Sequence, residues 1–384
     1  MRRWALALRL LLLLPFALPG ASAWADTVKL GLVGSTTGPH SGFDLPANEG
    51  VRMAVAELNG KGGIKVGGKS YTFQLVEEDA QSKPDFAASA AQRVLQDDDV
   101  HVVFGILTSG PGMAAATAFQ RAKVLYVGGF TLMDTLLGKP GAELMFRALD
   151  ADAVVAKPFI QASLQALPIK SIAIVLPNED VSHEIANLYK PLLESAGVKV
   201  VATEFFQPDT TDYAPVLRKF QNQGIDGMLI GTTDPQAEAI VRQSVELGNL
   251  PRVFLYRGGS SAPALKYAHD ITGFTWQILT RDLQASDDPS LADWKRRYEA
   301  FTHKQVSSQT YWALTFYDAV FMVADAMQKV GSVTDVKAIA AQLKGPRYQG
   351  VRTVGFDRDG RALSDFDVGI LRDGKVSVVR ATVQ

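Results

Sequence analysis

Strand-like and helix-like segments alternate along most of this sequence, and that order limits the fold more than any other feature. Residues 28–33 form a short apolar run closed by Gly34, and an amphipathic helical pattern follows, with apolar residues three and four positions apart from Val51 to Leu58. The alternation continues through strand-like runs at 71–77, 100–104, 124–127, 169–175, 198–203, 228–230 and 253–256. Strands that alternate with helices predict βαβ units, and therefore an α/β fold with parallel sheets covered on both faces.

The pattern changes toward the carboxyl end of the chain. Residues 289–343 are helical in pattern with little strand character, whereas 351–356, 366–371 and 376–379 predict antiparallel strands with a tight hairpin at Asp373-Gly374. A chain of 384 residues suggests two domains, and no low-complexity linker separates them. The connection is therefore predicted to consist of several short crossings, which suits a hinge around a cleft.

The composition excludes several classes of function. With 47% hydrophobic and 21% charged residues the chain is globular, and a net charge of −1 provides no field that would attract nucleic acid or an anionic membrane. The absence of cysteine removes thiolate nucleophiles, cysteine-ligated zinc and iron–sulfur clusters. The five histidines are scattered without ligand spacing, so no metal site is predicted.

Residues 1–25 are typical of a cleaved secretory signal peptide. Arg2, Arg3 and Arg9 precede an apolar run at 10–18, and the small residues at 21–25 satisfy the small-x-small cleavage rule. The apolar run is too short to span a bilayer, because a membrane helix needs about 20 apolar residues. We therefore expect Sec export, cleavage before Asp26 and a periplasmic protein without a transmembrane helix. Loss of the three arginines changes its formal net charge from −1 to −4.

One segment matches a nucleotide-binding motif letter for letter, but in the wrong structural order. Gly63-Ile-Lys-Val-Gly-Gly-Lys-Ser70 fits the phosphate-loop pattern, which requires a strand before it and a helix after it. Here a helix precedes the motif and a strand follows it, so Gly67-Gly68 predicts a two-residue hairpin turn. The sequence has no dinucleotide fingerprint, no nucleophile elbow and no zincin motif, so neither a cofactor nor a catalytic residue is predicted.

Two polar loops follow neighbouring predicted strands. Thr108-Ser109-Gly-Pro-Gly112 comes after the run at 100–104, and Gly128-Gly-Phe130-Thr131 comes after the run at 124–127. In open α/β sheets, ligands bind at the carboxyl ends of the strands. Hydroxyls and backbone N–H groups beside a helix N-terminus suit a small carboxylate, although the same residues could serve only to make turns.

Several short motifs occur in order over essentially the whole chain after residue 25. They lie at 30–39, 48–50, 58–64, 79–84, 105–112, 141–147, 212–213, 317–319 and 355–360, the last reading Gly355-Phe-Asp-Arg-Asp-Gly360. As an ordered set they resemble the leucine-binding-protein-like family of periplasmic type I solute-binding proteins. The resemblance implies two Rossmann-like lobes with parallel sheets, joined by a three-crossing hinge. The crossings are predicted at 147–150, 276–280 and 352–357, with 26–147 and 280–352 forming lobe 1 and 148–279 and 353–384 forming lobe 2.

The resemblance also implies which residues of lobe 1 would contact a ligand held between the lobes. A carboxylate would meet the loop of Thr108 and Ser109 and the loop of Phe130 and Thr131. Phe43 would cover one side of the ligand. These assignments carry the family's binding positions onto the matching residues of this sequence.

In lobe 2 the implied ligand contacts are Val181, Thr232 and Arg257. Amino-acid binders of this family usually offer an aromatic and an acidic residue to the ligand's ammonium group, where this chain has Val181 and Arg257. An arginine repels an ammonium group and favours a second anion or a ring-bearing acid. The alternative is that Arg257 pairs with a nearby carboxylate such as Asp234 and does not touch the ligand.

The implied function is that of a non-catalytic periplasmic binding protein, expected as a monomer. It would capture a small amino-acid-like or carboxylate-bearing solute, such as an aromatic acid, and deliver it to the membrane permease of an ABC importer. Two other functions stay open, an exported ligand-sensing module and an exported α/β hydrolase. A hydrolase would turn over esters or amides, whereas a binding protein would show only saturable, stoichiometric binding.

Overall fold

The computed structural model describes residues 25–39, 41–258, 262–278, 283, 288–307 and 309–381. The predicted signal peptide lies outside these ranges apart from its last residue. Within them, no helix is both long enough and apolar enough to cross a membrane. The strands are β1 (Asp26–Gly34), β2 (Ile64–Val66), β3 (Lys69–Asp79), β4 (Val100–Gly105), β5 (Leu125–Gly128), β6 (Met145–Asp150), β7 (Ser171–Pro177), β8 (Lys199–Phe206), β9 (Gly227–Ile230), β10 (Val253–Tyr256), β11 (Gly273–Ile278), β12 (Tyr348–Gln349), β13 (Thr353–Phe356), β14 (Arg361–Ser364), β15 (Phe366–Arg372) and β16 (Lys375–Ala381).

Helices connect most of these strands. They are α1 (Ser41–Gly60), α2 (Pro84–Val94), α3 (Ser109–Ala122), α4 (Asp152–Ala166), α5 (Asp180–Ser195), α6 (Ala214–Arg218), α7 (Asp234–Leu247), α8 (Ala262–Leu265), α9 (Pro289–Thr302), α10 (Tyr311–Val330) and α11 (Val336–Leu343), with a 3₁₀ helix at Thr131–Thr135. The predicted helical region at 289–343 is therefore confirmed.

The strands form two sheets, each with a parallel centre. The first has nine strands in the order β12-β13-β14-β6-β5-β4-β1-β3-β2, and β3, β1, β4, β5 and β6 run parallel. The second has seven strands in the order β16-β15-β11-β10-β9-β7-β8, in which the last five are parallel and β15 and β16 are antiparallel. The predicted α/β class and the carboxyl-terminal hairpin are both confirmed.

Successive residues of the central strands face opposite sides of the first sheet, and helices cover each side. Leu30 and Phe104 belong to an apolar cluster that includes α1 and α10, whereas Val33 and Val103 belong to one that includes α2 and α3. None of these four side chains is more than 1% exposed. Because both faces are buried, the strands read as continuous apolar runs rather than as alternating ones.

The phosphate-loop look-alike is a β-hairpin. Val66 of β2 pairs with Lys69 of β3, and the two glycines between them turn the chain with φ of 56° at Gly67 and 83° at Gly68. A type I′ turn requires such positive φ angles, which glycine adopts without steric cost. Since Lys69 begins a strand and not a helix, the segment has no helix N-terminus with which to hold phosphate, and the hairpin prediction is confirmed.

The third predicted crossing is wrong. Strands β13 and β14 pair with each other and with β6, so residues 353–364 belong to the first sheet and not to lobe 2. The chain passes from the first sheet to the second between Ser364 and Phe366. Local patterning could not show this, because the sheet that a strand joins depends on partners distant in sequence. The first predicted crossing, 147–150, lies within β6 of the first sheet. The chain leaves that sheet after β6 and enters α4, which packs against β15 of the second sheet. Residues 279–280 of the second crossing lie outside the described residues.

Candidate functional site

The predicted binding loops of lobe 1 lie together at one edge of the first sheet. Strands β1, β4 and β5 are parallel neighbours, so the loops that follow Gly34, Gly105 and Gly128 emerge side by side. Asp44, in the first turn of α1, connects two of these loops. Its carboxylate accepts hydrogen bonds from the Ser35 N–H at 2.6 Å and the Leu107 N–H at 3.0 Å. The sequence analysis missed this residue, because an acidic residue early in a helix is common and only the fold shows what it reaches.

Thr108 and Ser109 form the amino-terminal end of α3. Thr108 is the N-cap residue but its side chain makes no capping bond, and its Oγ1 is buried without a hydrogen-bond partner in the described structure. The first turn closes through the Gly112 N–H, which donates to the Thr108 carbonyl at 2.9 Å. The partial positive charge of a helix N-terminus, next to this hydroxyl, can receive a carboxylate.

Phe130 packs against α3 and lies in the core. Its ring is fully buried, and it belongs to the apolar cluster between the first sheet and the helices α2 and α3. A Cβ added to Gly112 would lie 2.3 Å from the Phe130 ring, so only glycine allows this approach of helix and loop. Thr131 begins the 3₁₀ helix, and its side chain lies outside the described residues. Ligand contact by Phe130 and Thr131 stays a prediction.

Replacing Gly112 with alanine should lower the free energy of unfolding by about 1–3 kcal/mol, because the methyl group overpacks a buried ring that has nowhere to move. Gly110→Ala is the matched control in the same helix turn. Its Cβ would meet only the Pro84 Cγ at 3.7 Å, an ordinary contact, so it should be neutral or stabilise by up to about 1 kcal/mol. Urea unfolding of both variants checks this, and equal effects would contradict the packing argument.

Three aromatic side chains lie together at the start of α1 and α10. Phe43 contacts Trp312 edge to face with ring centroids 6.5 Å apart, and the Trp312 ring lies 4.6 Å from that of Tyr311. The Trp312 indole N–H donates to the Gln309 Oε1 at 2.9 Å. Sequence reasoning found Phe43 but missed Tyr311 and Trp312. Two adjacent aromatics at the start of a helix were the available signal, but that pattern equally indicates core packing.

The predicted residues of lobe 2 follow strands of the second sheet. Thr232, after β9, donates its hydroxyl to the Gln236 side chain, and its carbonyl accepts from the Tyr256 hydroxyl at 2.9 Å. Val181, in the first turn of α5, is half-buried and packs on an apolar cluster of the second sheet. These contacts give both residues a structural role, and their contact with a ligand stays a prediction.

Arg257, after β10, is held by a carboxylate that lies far from it in sequence. Its Nε donates to the Asp152 Oδ1 at 2.7 Å, and its Nη2 donates to the Asp152 Oδ2. Burial acts to raise the pKa of Asp152, but the Arg257 charge, the hydrogen bond from Arg257 and the Arg147 charge together outweigh it, and the pKa lies below its ordinary value. The alternative that Arg257 pairs with a carboxylate is therefore confirmed, with Asp152 as the partner where Asp234 was named as an example. Asp234 instead accepts a hydrogen bond from the Tyr256 hydroxyl at 2.7 Å.

Tyr311, on a helix that covers the first sheet, is affected by charges that follow strands of the second. It begins α10, which packs against α1 on the first sheet. Burial raises the pKa of its hydroxyl, the Arg257 charge opposes this rise, and the Asp234 charge adds to it. Tyr311 is therefore close enough to Arg257 and Asp234, which follow β10 and β9, for their charges to affect its hydroxyl. Residues of the first and second sheets therefore meet around one site.

A buried carboxyl lies where the end of β6 meets the end of β14. Asp150, at the end of β6, accepts hydrogen bonds from the Ser364 N–H at 3.0 Å and from the Ser364 hydroxyl. Burial raises the pKa of Asp150 to about 6, although those hydrogen bonds and the charges of Arg352 and Arg147 oppose the shift. The folded state therefore binds a proton here at pH values where the unfolded chain does not.

The raised pKa of Asp150 makes the stability of the fold depend on pH. The contribution of Asp150 is fully present below the unfolded pKa of about 4 and is lost as the pH rises through about 6. Between pH 4 and pH 6 the wild type should therefore lose about 2 kcal/mol more stability than Asp150→Asn, because asparagine does not titrate. Denaturant unfolding across this range measures the difference between variant and wild type. Asp98→Asn changes an exposed position and should show the same dependence of stability on pH as the wild type. If Asp150→Asn also lost as much stability as the wild type between pH 4 and pH 6, the raised pKa of Asp150 would be contradicted.

Comparison with known proteins identifies relatives along the whole chain. The family model described as "Periplasmic binding protein" matches residues 27–375. The chain is 26% identical to the Leu/Ile/Val-binding protein BraC3 of Rhizobium johnstonii, over 84% of each protein. It is 25% identical to the leucine-, isoleucine-, valine-, threonine-, and alanine-binding protein of Pseudomonas aeruginosa, over 89% of each.

Solved structures share the fold. A leucine-binding protein LivK from Thermotoga maritima superposes with a TM-score of 0.73 at 22% identity, covering 92% of this chain and 99% of that one. A solute-binding protein from R. palustris in complex with benzoate superposes with a TM-score of 0.70 at 16% identity, covering 93% and 96%. The family match covers well over half of the chain. This chain therefore belongs to the periplasmic binding protein family, as a leucine-binding-protein-like solute-binding protein and not an enzyme.

Proposed function

We propose that this protein captures a small carboxylate-bearing solute between the facing edges of its two sheets, in the periplasm, and delivers it as a monomer to the permease of an ABC importer. The observation that carries the proposal is the convergence around Tyr311. Tyr311 lies on a helix that covers the first sheet, and the charges of Arg257 and Asp234, which follow strands of the second sheet, affect the pKa of its hydroxyl. The ligand class follows from the chemistry of the two edges.

The ligand carboxylate binds at the amino-terminal end of α3. The buried Thr108 hydroxyl lacks a partner in the described structure, and the first-turn N–H groups of the helix favour negative charge. A carboxylate there accepts hydrogen bonds from these groups, and each hydrogen bond to a charged group contributes about 1.5–3 kcal/mol to the binding free energy. The loop of Phe130 and Thr131 borders the same site, because it follows β5, the neighbour of β4.

The rest of the solute contacts the aromatic group of Phe43, Tyr311 and Trp312. Two candidate ligand classes fit such a surface, a branched-chain amino acid and an aromatic acid. The curated relatives are described as binding leucine, isoleucine and valine, which favours the first class. The edge-to-face geometry of Phe43 and Trp312 and the benzoate complex of the R. palustris protein favour the second.

Binding is tested by thermal shift and calorimetry with leucine and benzoate as probes. A ligand at 100 times its Kd stabilises the fold by about 2.7 kcal/mol, which is readily measured. Stabilisation by either probe, with one molecule bound per chain, supports the proposal. No stabilisation by either probe at millimolar concentration contradicts it. Delivery, as opposed to sensing, requires that the loaded protein stimulate ATP hydrolysis by a reconstituted importer.

We propose further that the two sheets form lobes that close on the ligand. Lobe 1 comprises the first sheet, including residues 353–364, and lobe 2 comprises the second, including 366–381, so the crossings can act as a hinge. Small-angle scattering should show a smaller radius of gyration once a probe that binds in calorimetry saturates the protein. An unchanged scattering profile with saturating probe would count against closure.

A further inference from the structure

The pair of Asp152 and Arg257 presents a cation that is already neutralised. Asp152 is 7% exposed, and the Arg257 side chain is 20% exposed, so the pair lies largely out of solvent at the edge of the second sheet. We propose that Asp152 is a positioning residue that restricts the site to solutes with a single carboxylate, by occupying the face of Arg257 that would otherwise receive a second one. This inference rests on the proposed function and specifies its ligand class.

The geometry of the pair supports this role. The Nε and Nη2 atoms of a guanidinium form one of its two-pronged faces, and a carboxylate fits such a face with both oxygens. Asp152 occupies this face of Arg257 with both of its own oxygens. A second ligand carboxylate would have to displace Asp152 or approach a cation whose charge is already compensated.

The position of Asp152 makes displacement costly. It lies in the first turn of α4, where the helix dipole favours a carboxylate. Although burial acts against it, its charged form is favoured by Arg257 and, to a smaller extent, by Arg147 of β6, and its pKa is lowered. Separating the pair would leave a largely buried carboxylate without its partner, which is strongly unfavourable.

The other described cation whose charge acts on Asp152 is Arg147, and it is already paired. Arg147 pairs with Asp134. Asp234 accepts a hydrogen bond from the Tyr256 hydroxyl, and both the Asp234 charge and the Arg257 charge act on that hydroxyl. The Tyr189 hydroxyl donates to the Gln277 Oε1 at 2.7 Å, and the Tyr311 hydroxyl acts on the Arg257 pKa. Asp134 also pairs with Arg361, so the guanidinium groups next to the Asp152 pair are themselves engaged by a carboxylate.

The test compares probes that differ by one carboxylate, benzoate against terephthalate and leucine against glutamate, by calorimetry. The wild type should bind the probe with fewer carboxylates at least tenfold more tightly in each pair. Asp152→Asn keeps the side-chain shape but removes the charge, so it should shift the preference toward the dicarboxylate by about 10- to 150-fold. Glu204→Gln, which removes a carboxylate from an exposed ion pair with Lys219 on the second sheet, should leave the preference unchanged.

The outcomes separate the two proposals. If no probe binds the wild type, the proposed function fails and this inference fails with it. If probes bind but Asp152→Asn changes the preference less than threefold, or if the wild type prefers the dicarboxylates, only the inference is overturned. Should Asp152→Asn not fold, Asp152→Asn with Arg257→Gln provides a neutral pair. It should keep the wild-type preference, and a shift toward dicarboxylates in this double variant would equally overturn the inference.

Discussion

Replacing Asp318 with alanine should lower the free energy of unfolding by about 3–5 kcal/mol, because it leaves the buried Arg352 charge without a partner. Asp318, on α10, is 1% exposed, and Arg352 is 4% exposed. The carboxylate accepts three hydrogen bonds at 3.1 Å, from the Val351 N–H, the Arg352 N–H and the Arg352 Nε. The loss therefore removes the support of the turn before β13 together with a buried ion pair.

Asp325→Ala is the matched control on the same helix. Asp325 pairs with Lys329 one helical turn away, but its side chain is 34% exposed and that of Lys329 is 52% exposed. Exposed pairs of this kind contribute about 0.3–0.5 kcal/mol, so this variant should differ little from the wild type. Urea unfolding at neutral pH measures both. A loss below about 1 kcal/mol in Asp318→Ala would show that the turn relaxes and exposes Arg352 to water.

Arg257→Ala should weaken the binding of benzoate by about 10- to 150-fold, because it leaves the largely buried Asp152 carboxylate without its partner and that negative charge repels an anionic ligand. Arg257→Lys should restore binding only in part, because an ammonium group replaces the charge but lacks the planar fork that fits Asp152. Calorimetry on the wild type and both variants measures the effect.

The control for Arg257 is Arg218→Ala, which removes an exposed cation from α6 on the second sheet and should change affinity less than threefold. If leucine binds tightly to the wild type and Arg257→Ala also stays within threefold, then Arg257 serves only to hold Asp152. In that case the ligand meets the second sheet through uncharged groups.

The candidate site could be predicted in part. The loops of Ser109 and Phe130 were expected at a sheet edge because parallel strands must end at the same edge, and the structure places them there. Phe43 was found by resemblance, but its partner Trp312 was not, because α10 is more than 250 residues away and its aromatic residues resemble any buried helix. The Asp44 contacts were missed because an acidic residue early in a helix is common, and only the fold shows that this one reaches Ser35 and Leu107.

The sequence alone determined the α/β class, the hairpin at Gly67-Gly68 and the absence of catalytic motifs. These features are local, since hydrophobic periodicity and turn chemistry act over a few residues. Only the tertiary structure decided that Arg257 pairs with Asp152, 105 residues away, and that β13 and β14 join the first sheet. Charge partners and strand neighbours depend on which segments the completed fold brings together, and burial then makes those particular contacts costly to exchange.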